Sequence, residues 1–226
     1  MFPHATISRR QFVASSAGLF TGTTGIRRLP HALGFNSPNA RPTIGVVGCG
    51  LRWDKRVMDP NANYGLGKQF PKYGDIVSVC DVDSERATRA RDIVKGWASA
   101  KPVATSDYRR LIDDPAINIL HIVTPDHWHA KIAIEAMLAG KDVYCEKPMT
   151  LTIEEGKLVR EVQKKTGAVF QVGTQQRSGR QFIKAIAMIR DGRLGDLKRV
   201  VCGIDSSPQS PQLPIVPVPN SLDWNQ

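Results

Sequence analysis

Between Thr43 and Val172, short apolar runs alternate with stretches of helical periodicity so regularly that few folds remain open. Thr43–Val47, Asp75–Cys80, Val103-Ala104, Asn118–Val123, Val143-Tyr144 and Ala168–Val172 are rich in Val, Ile and other strand-favouring residues. Ser84–Lys95, Asp107–Ile112, Ala130–Ala139 and Ile153–Lys165 lie between them and read as helices. Strands that alternate with helices at this pitch predict an α/β fold, a doubly wound parallel sheet covered on both faces. Such a sheet presents its ligands at the carboxyl ends of its strands, so the residues following each apolar run are the ones to read for chemistry.

The first run breaks into Gly48-Cys49-Gly50. Two glycines at this spacing form the first two positions of a G-x-G-x-x-G turn, where missing side chains let the backbone approach a pyrophosphate. Trp53 holds the third position, so close helix-to-strand packing is not expected there. Residues 54–63 read as an inserted loop that delays the first helix to Gly65–Tyr73, with Pro71 limiting its length. The second run ends in Asp81, 31 positions after Gly50. A carboxylate at that place accepts from the adenine ribose and repels a 2′-phosphate, which indicates NAD over NADP. Asp81 also reads as the N-cap of the helix that opens at Ser84.

Three later loops carry polar chemistry. Thr124-Pro125-Asp126-His127-Trp128-His129 follows the fourth run. Asp126 reads as the cap of a helix starting near Trp128, and the loop as lining of a nicotinamide pocket. The spacing of Asp126, His127 and His129 suits no single helix face, so no metal site is expected. Asp142-Val143-Tyr144-Cys145-Glu146-Lys147-Pro148 ends a strand in a carboxylate, an amine and a proline. The proline biases Lys147 towards extended backbone, and an amine held at this edge can move a proton while a nicotinamide exchanges hydride. Gly173-Thr174-Gln175-Gln176-Arg177 follows the sixth run, and Gln175, Gln176 and Arg177 could donate to substrate hydroxyls.

Net charge is +10, but residues 1–41 carry five arginines and no acid, and the remaining excess is dispersed. That pattern lacks the clustered basic face of a nucleic-acid binder, and no such partner is expected. Cys49, Cys80, Cys145 and Cys202 contain no C-x-x-C pair and read as small buried core residues. Ser8-Arg9-Arg10-Gln11-Phe12-Val13 resembles a twin-arginine export signal, and the mildly apolar Val13–Ile26 behind it is too short to span a bilayer. Residues 1–40 are therefore expected to be a leader, with a periplasmic destination and no stable membrane span. An exported nucleotide enzyme has no free cofactor pool, so its cofactor is expected to remain bound.

Gly48-Cys49-Gly50, Cys80-Asp81-Val82-Asp83, Thr124–His129, Glu146-Lys147-Pro148 and Gly173–Gln176, in this order and separation, resemble the Gfo/Idh/MocA oxidoreductases. The resemblance implies a Rossmann domain, followed by an α+β domain whose open sheet covers the active site. It implies NAD or NADP as cofactor, a sugar or polyol as substrate, and homo-oligomeric full-length relatives. It also implies Lys147 as the proton-transferring lysine, Glu146 as the residue placing it and the cofactor ribose, and His129 as a catalytic-loop histidine beside the nicotinamide. Gly48, Gly50, Asp81, Thr124, Pro125 and His127 become cofactor contacts.

The expected organisation is a leader over 1–40, a Rossmann domain over 41–172 and the start of an incomplete α+β domain over 173–226. Leu197–Ile204 is the expected first strand of that second domain. Family members run well past this length and supply an Asp-x-x-x-His pair from the second domain, so a truncated copy is expected. Three functions remain open: a sugar or polyol dehydrogenase, a glycoside hydrolase that uses NAD without consuming it, and a non-catalytic nucleotide-binding remnant.

Overall fold

A computed structural model describes residues 41–54, 65–97, 101–203 and 214–224. The expected leader lies outside them. Six strands form one parallel sheet: β1 (Thr43–Val47), β2 (Asp75–Cys80), β3 (Val103–Thr105), β4 (Ile119–Ile122), β5 (Asp142–Glu146) and β6 (Phe170–Gly173). Their order is β3-β2-β1-β4-β5-β6. The chain therefore winds outwards in one direction from β1, returns, and winds outwards in the other. The carboxyl ends of β1 and β4 flank the point of reversal, where loops diverge and leave a crevice.

Alternation along the strands divides the core between two faces. Leu120, Ile122, Val143 and Cys145 point to one face and are covered by α3 (Asp126–Leu138) and α4 (Ile153–Thr166) through Ile132, Ala133, Met137 and Val159. Ile44, Val46, Ile76 and Val79 point to the other, packed by Ala90 and Val94 of α1 (Ser84–Lys95) and by Trp53. A short α2 spans Arg109–Asp113. Helix α4 opens with a reciprocal capping box, Thr152 accepting from Glu155 N–H and the Glu155 carboxylate accepting from Thr152 N–H.

Several expected boundaries move. Gly65–Tyr73 forms no α-helix; only a single 3₁₀ turn, Phe70–Lys72, is present. Pro71 lies within it, and Phe70 is committed to the sheet, stacking on His121 with ring centroids 3.8 Å apart. Helix α3 starts at Asp126, not near Trp128, and Pro125 occupies its N-cap without a side-chain bond. Helix α1 is capped by Asp83, which accepts from Glu85 N–H and Arg86 N–H, and not by Asp81. Residues 197–203 form no strand. A strand exists only beside a hydrogen-bonding partner, and among the described residues none runs alongside them. Cys49, Cys80 and Cys145 are buried, but Cys202 is exposed.

Helix α5 (Arg180–Arg190) buries none of its residues, although Phe182, Ile183, Ile186 and Ile189 give it an apolar side. Among the described residues no helix is long and apolar enough to cross a membrane. The segment Ser221–Asp223 runs back to the end of β2. Ser221 O accepts from Ser84 N–H at 2.8 Å, Asp223 N–H donates to Val82 O at 2.9 Å, and Leu222 makes an antiparallel bridge with Asp83.

His121 is fully buried within β4, between Phe70 and the edge of Tyr144, and neither ring nitrogen has a partner among the described residues. Burial pushes its pKa down from 6.5 to about 3. The neutral ring is thus favoured in the fold, while the unfolded chain takes up the proton first as pH falls. This contribution is complete above the unfolded value of about 6.5 and is lost progressively towards pH 3. At pH 5 the loss amounts to about 2 kcal/mol. Denaturant titrations at neutral pH and pH 5 should show that much less acid sensitivity in His121→Phe than in the wild type. Equal sensitivity would remove His121 as the cause.

Candidate functional site

The crevice at the reversal point has a volume of about 360 Å³, with Gly48, Gly50, Arg52, Asp81, Thr124 and Trp128 among its walls. Gly48 has φ +92°, a conformation that side-chain-bearing residues rarely adopt. A Cβ there would stand 2.6 Å from the carbonyl carbon and oxygen of Val123 and 2.8 Å from Thr124 N. The first glycine of the turn is therefore required twice, by its dihedral and by the backbone against it. Gly50 faces more open space, its nearest neighbour being the Arg86 guanidinium at 3.7 Å from a hypothetical Cβ.

Trp53, at the third fingerprint position, is buried and belongs to the core. The close approach expected of a glycine there occurs at Gly67 instead, where a Cβ would meet Trp53 Cε2 at 2.4 Å. Gly67 N–H also donates to Trp53 O at 3.1 Å. Sequence spacing could not have found Gly67, because the ring it accommodates arrives from another turn.

Asp81 is buried and already engaged. Its Oδ2 accepts from Cys49 N–H at 2.7 Å, and its Oδ1 accepts from Asp83 N–H at 2.9 Å. The carboxylate thus ties the glycine turn to the end of β2. A carboxylate can accept about four hydrogen bonds, so Asp81 retains capacity for ribose hydroxyls. Asp83 both caps α1 and pairs with Arg86 at 3.4 Å. The thiols beneath this edge are structural. Burial, reinforced by the Asp81 charge, raises Cys49 well above its ordinary value and Cys80 to about 12. Burial with the Glu146 charge raises Cys145 to about 12.

On the loop after β4, Thr124 Oγ1 is buried with no partner among the described residues. A hydroxyl left unsatisfied on a crevice wall is costly unless something else occupies the crevice and bonds to it. Pro125, Asp126 and His127 are exposed at the rim. His129 differs from its expected catalytic role. Its ring is buried, with Nδ1 2.6 Å from Pro148 O and Nε2 2.9 Å from Thr124 O. Both nitrogens face backbone carbonyls, leaving none for a substrate. His129 is a brace between the loops following β4 and β5, and its position on the buried side of α3 follows from the earlier start of that helix. Among the described residues no cluster of three His, Cys, Asp or Glu side chains is placed to hold a metal.

Strand β5 delivers Glu146 and Lys147 next to this crevice, one strand beyond β4. Glu146 is buried, accepting from Lys147 N–H through Oε2 at 3.1 Å and from Arg52 Nη2 through Oε1 at 3.2 Å. Lys147 is exposed, and its bond to Pro148 is cis. Gln175, Gln176 and Arg177 form an exposed 3₁₀ turn after β6 on the same carboxyl edge. The structure therefore gathers Gly48, Gly50, Asp81 and Thr124 in one crevice, with Glu146 and Lys147 at the adjoining strand end. Arg52 was missed in the sequence because arginine in a loop has no distinguishing spacing; its contact with Glu146 appears only when the loop after β1 reaches across the end of β4 to β5.

These features fit a dinucleotide on their own terms: a glycine turn that tolerates no Cβ at Gly48, an unsatisfied hydroxyl facing it, and a carboxylate at the end of β2. A family model described as an oxidoreductase family with an NAD-binding Rossmann fold matches residues 43–174, more than half of the chain. Levoglucosan dehydrogenase of Pseudarthrobacter phenanthrenivorans is 41% identical over 92 residues, covering 41% of this chain and 24% of that protein. A glycosyl hydrolase family 109 protein of Shewanella putrefaciens is 29% identical over 206 residues, covering 84% of this chain and 44% of its own length. The solved levoglucosan dehydrogenase complex with NADH and levoglucosan superposes with a TM-score of 0.57 at 28% identity, over 69% of this chain and 40% of that one. The chain thus spans less than half the length of each of these relatives. Fold, site and family model agree: this chain belongs to the Gfo/Idh/MocA oxidoreductases, with their NAD-binding Rossmann fold.

Proposed function

We propose that this chain forms the nucleotide-binding part of an NAD-dependent oxidoreductase acting on a sugar or polyol. The carrying observation is the juxtaposition of the Gly48 turn and the unsatisfied Thr124 hydroxyl with Lys147 one strand away. Gly48, Gly50 and Thr124 hold the diphosphate side of the dinucleotide, and Asp81 accepts from the adenine ribose. The Asp81 charge disfavours a 2′-phosphate and supports NAD over NADP. The nicotinamide supplies the hydride acceptor. Lys147 takes the proton from the substrate hydroxyl as its carbon is oxidised, and returns it in the reverse direction. Pro125 and His127 line the rim towards the nicotinamide, and Gln175, Gln176 and Arg177 donate to further hydroxyls of the substrate.

A second reading has one specific observation behind it, the family 109 similarity that extends over 206 residues. In that reading the same hydride exchange is reversed within each turnover, and a glycoside is cleaved without net reduction of NAD. Export through the twin-arginine motif at Ser8–Val13 suits either reading, provided the cofactor stays bound.

The test is to purify the protein and measure NAD binding by calorimetry. Nicotinamide reduction is then followed with free sugars and polyols, and aglycone release with aryl glycosides. Reduction by a free sugar supports the dehydrogenase, and aglycone release without net reduction supports the hydrolase. Binding with neither would reduce the chain to a nucleotide-binding module, and a protein that neither retains NAD through purification nor binds it when added would sink both readings.

A further inference from the structure

Arg52 and Glu146 are 94 positions apart, yet their side chains meet at 3.2 Å across the end of β4. Glu146 is almost wholly enclosed, its side chain 5% exposed, whereas that of Arg52 is 42% exposed and lines the crevice beside Gly48 and Gly50. The other Glu146 oxygen holds the backbone N–H of Lys147. The fold makes room for this arrangement at β6: Gly173 stands opposite Glu146 in register, and a Cβ there would lie 2.9 Å from Glu146 Oε1. A buried carboxylate is stable only when paired and hydrogen-bonded. Here the pairing cation comes from the glycine turn, and a second hydrogen-bond donor comes from the lysine motif.

We propose that Arg52 is a positioning residue that seats Glu146 and, through it, the backbone of Lys147, so that the nucleotide turn and the proton-transfer amine form one mechanical unit. This rests on the assignment of Lys147 as the proton-transferring group. Without Arg52, Glu146 is a buried carboxylate lacking its cation, and it relieves that cost by turning towards water. The turn removes the acceptor from Lys147 N–H. Arg52→Lys retains the charge but loses the reach and fork of the guanidinium, so it should restore the arrangement in part.

The test is amide hydrogen exchange at Lys147, together with NAD affinity, in the whole chain. Arg52→Met is expected to speed Lys147 amide exchange at least about tenfold, a modest fraction of what loss of one partner from a buried ion pair produces. Exchange at Val79 and Leu120 in the core should stay unchanged, and Arg52→Lys should recover at least half of the protection on a logarithmic scale. A general structural role would instead raise exchange across the sheet, with no local excess at Lys147 and no recovery by lysine; that result overturns the proposal. Unchanged Lys147 protection in Arg52→Met overturns it as well. Should Arg52→Met not fold, Glu146→Ala with Arg52 intact must show the same local loss at Lys147, and its absence is equally decisive. Because amide exchange does not depend on turnover, these outcomes are separate from the fate of Lys147 as the proton-transferring group.

Discussion

Lys147→Met should lower hydride transfer by about 10²–10⁴-fold, the range lost when a general acid–base is removed. The expected effect falls on chemistry alone, for reasons visible in the structure. Lys147 is exposed, so methionine of similar length takes its place with a change in stability within about 0.5 kcal/mol. The amine is not among the walls of the glycine crevice, so NAD affinity should stay within about threefold, less than 1 kcal/mol. The Lys147 N–H that Glu146 accepts belongs to the backbone and survives the substitution. Turnover on any substrate the wild type accepts, paired with calorimetric NAD titration, separates the two quantities. Undiminished turnover would transfer the proton to another group and discard the proposed mechanism.

Gly48→Ala is expected to act in the opposite way, through fold and binding together. At φ +92° an alanine is strained, and its Cβ would meet the Val123 carbonyl at 2.6 Å, a contact that backbone cannot escape by changing rotamer. Strain at such a dihedral and overpacking each cost about 1–3 kcal/mol, so roughly 3–4 kcal/mol of stability should be lost together. Relief requires β1 and β4 to separate where Gly48 and Thr124 meet, which widens the turn that approaches the diphosphate. NAD affinity should fall by about 100-fold or more, corresponding to about 3 kcal/mol. Gly50→Ala provides the internal comparison, because among the described residues its Cβ would meet only the Arg86 guanidinium at 3.7 Å. Denaturant melts and NAD titrations of the two variants should differ sharply. Equal behaviour would mean that the turn does not contact the cofactor as proposed.

The sheet was legible because buried parallel strands are written as near-continuous apolar runs, and the carboxyl-edge residues follow from where those runs stop. Gly48, Asp81, Thr124 and Lys147 were placed at that edge in this way. What escaped depends on contacts between distant segments. Nothing near Gly67 announces that Trp53 will lie against it. The Gly65–Tyr73 stretch looked helical, yet Phe70 is drawn to His121 and leaves only a 3₁₀ turn. Asp81 and Asp83 are both plausible caps, and only the path of the backbone assigns the cap to Asp83 and the tie to Cys49 to Asp81. His129 read as a loop histidine because α3 was expected to start near Trp128, whereas it starts at Asp126 and holds His129 within the helix on its buried side.

The contact of Ser221–Asp223 with Val82–Ser84 also sets an order of events during synthesis. Ser84 and Ser221 are 137 positions apart, whereas the six strands are complete by Gly173. As the polypeptide leaves the ribosome, the sheet can assemble while the rim above β2 still stands open. That rim is finished only after some fifty further residues have emerged, since Asp223 follows Gly173 by 50 positions. The crevice wall at Val82 therefore receives this second support later than the sheet that carries it.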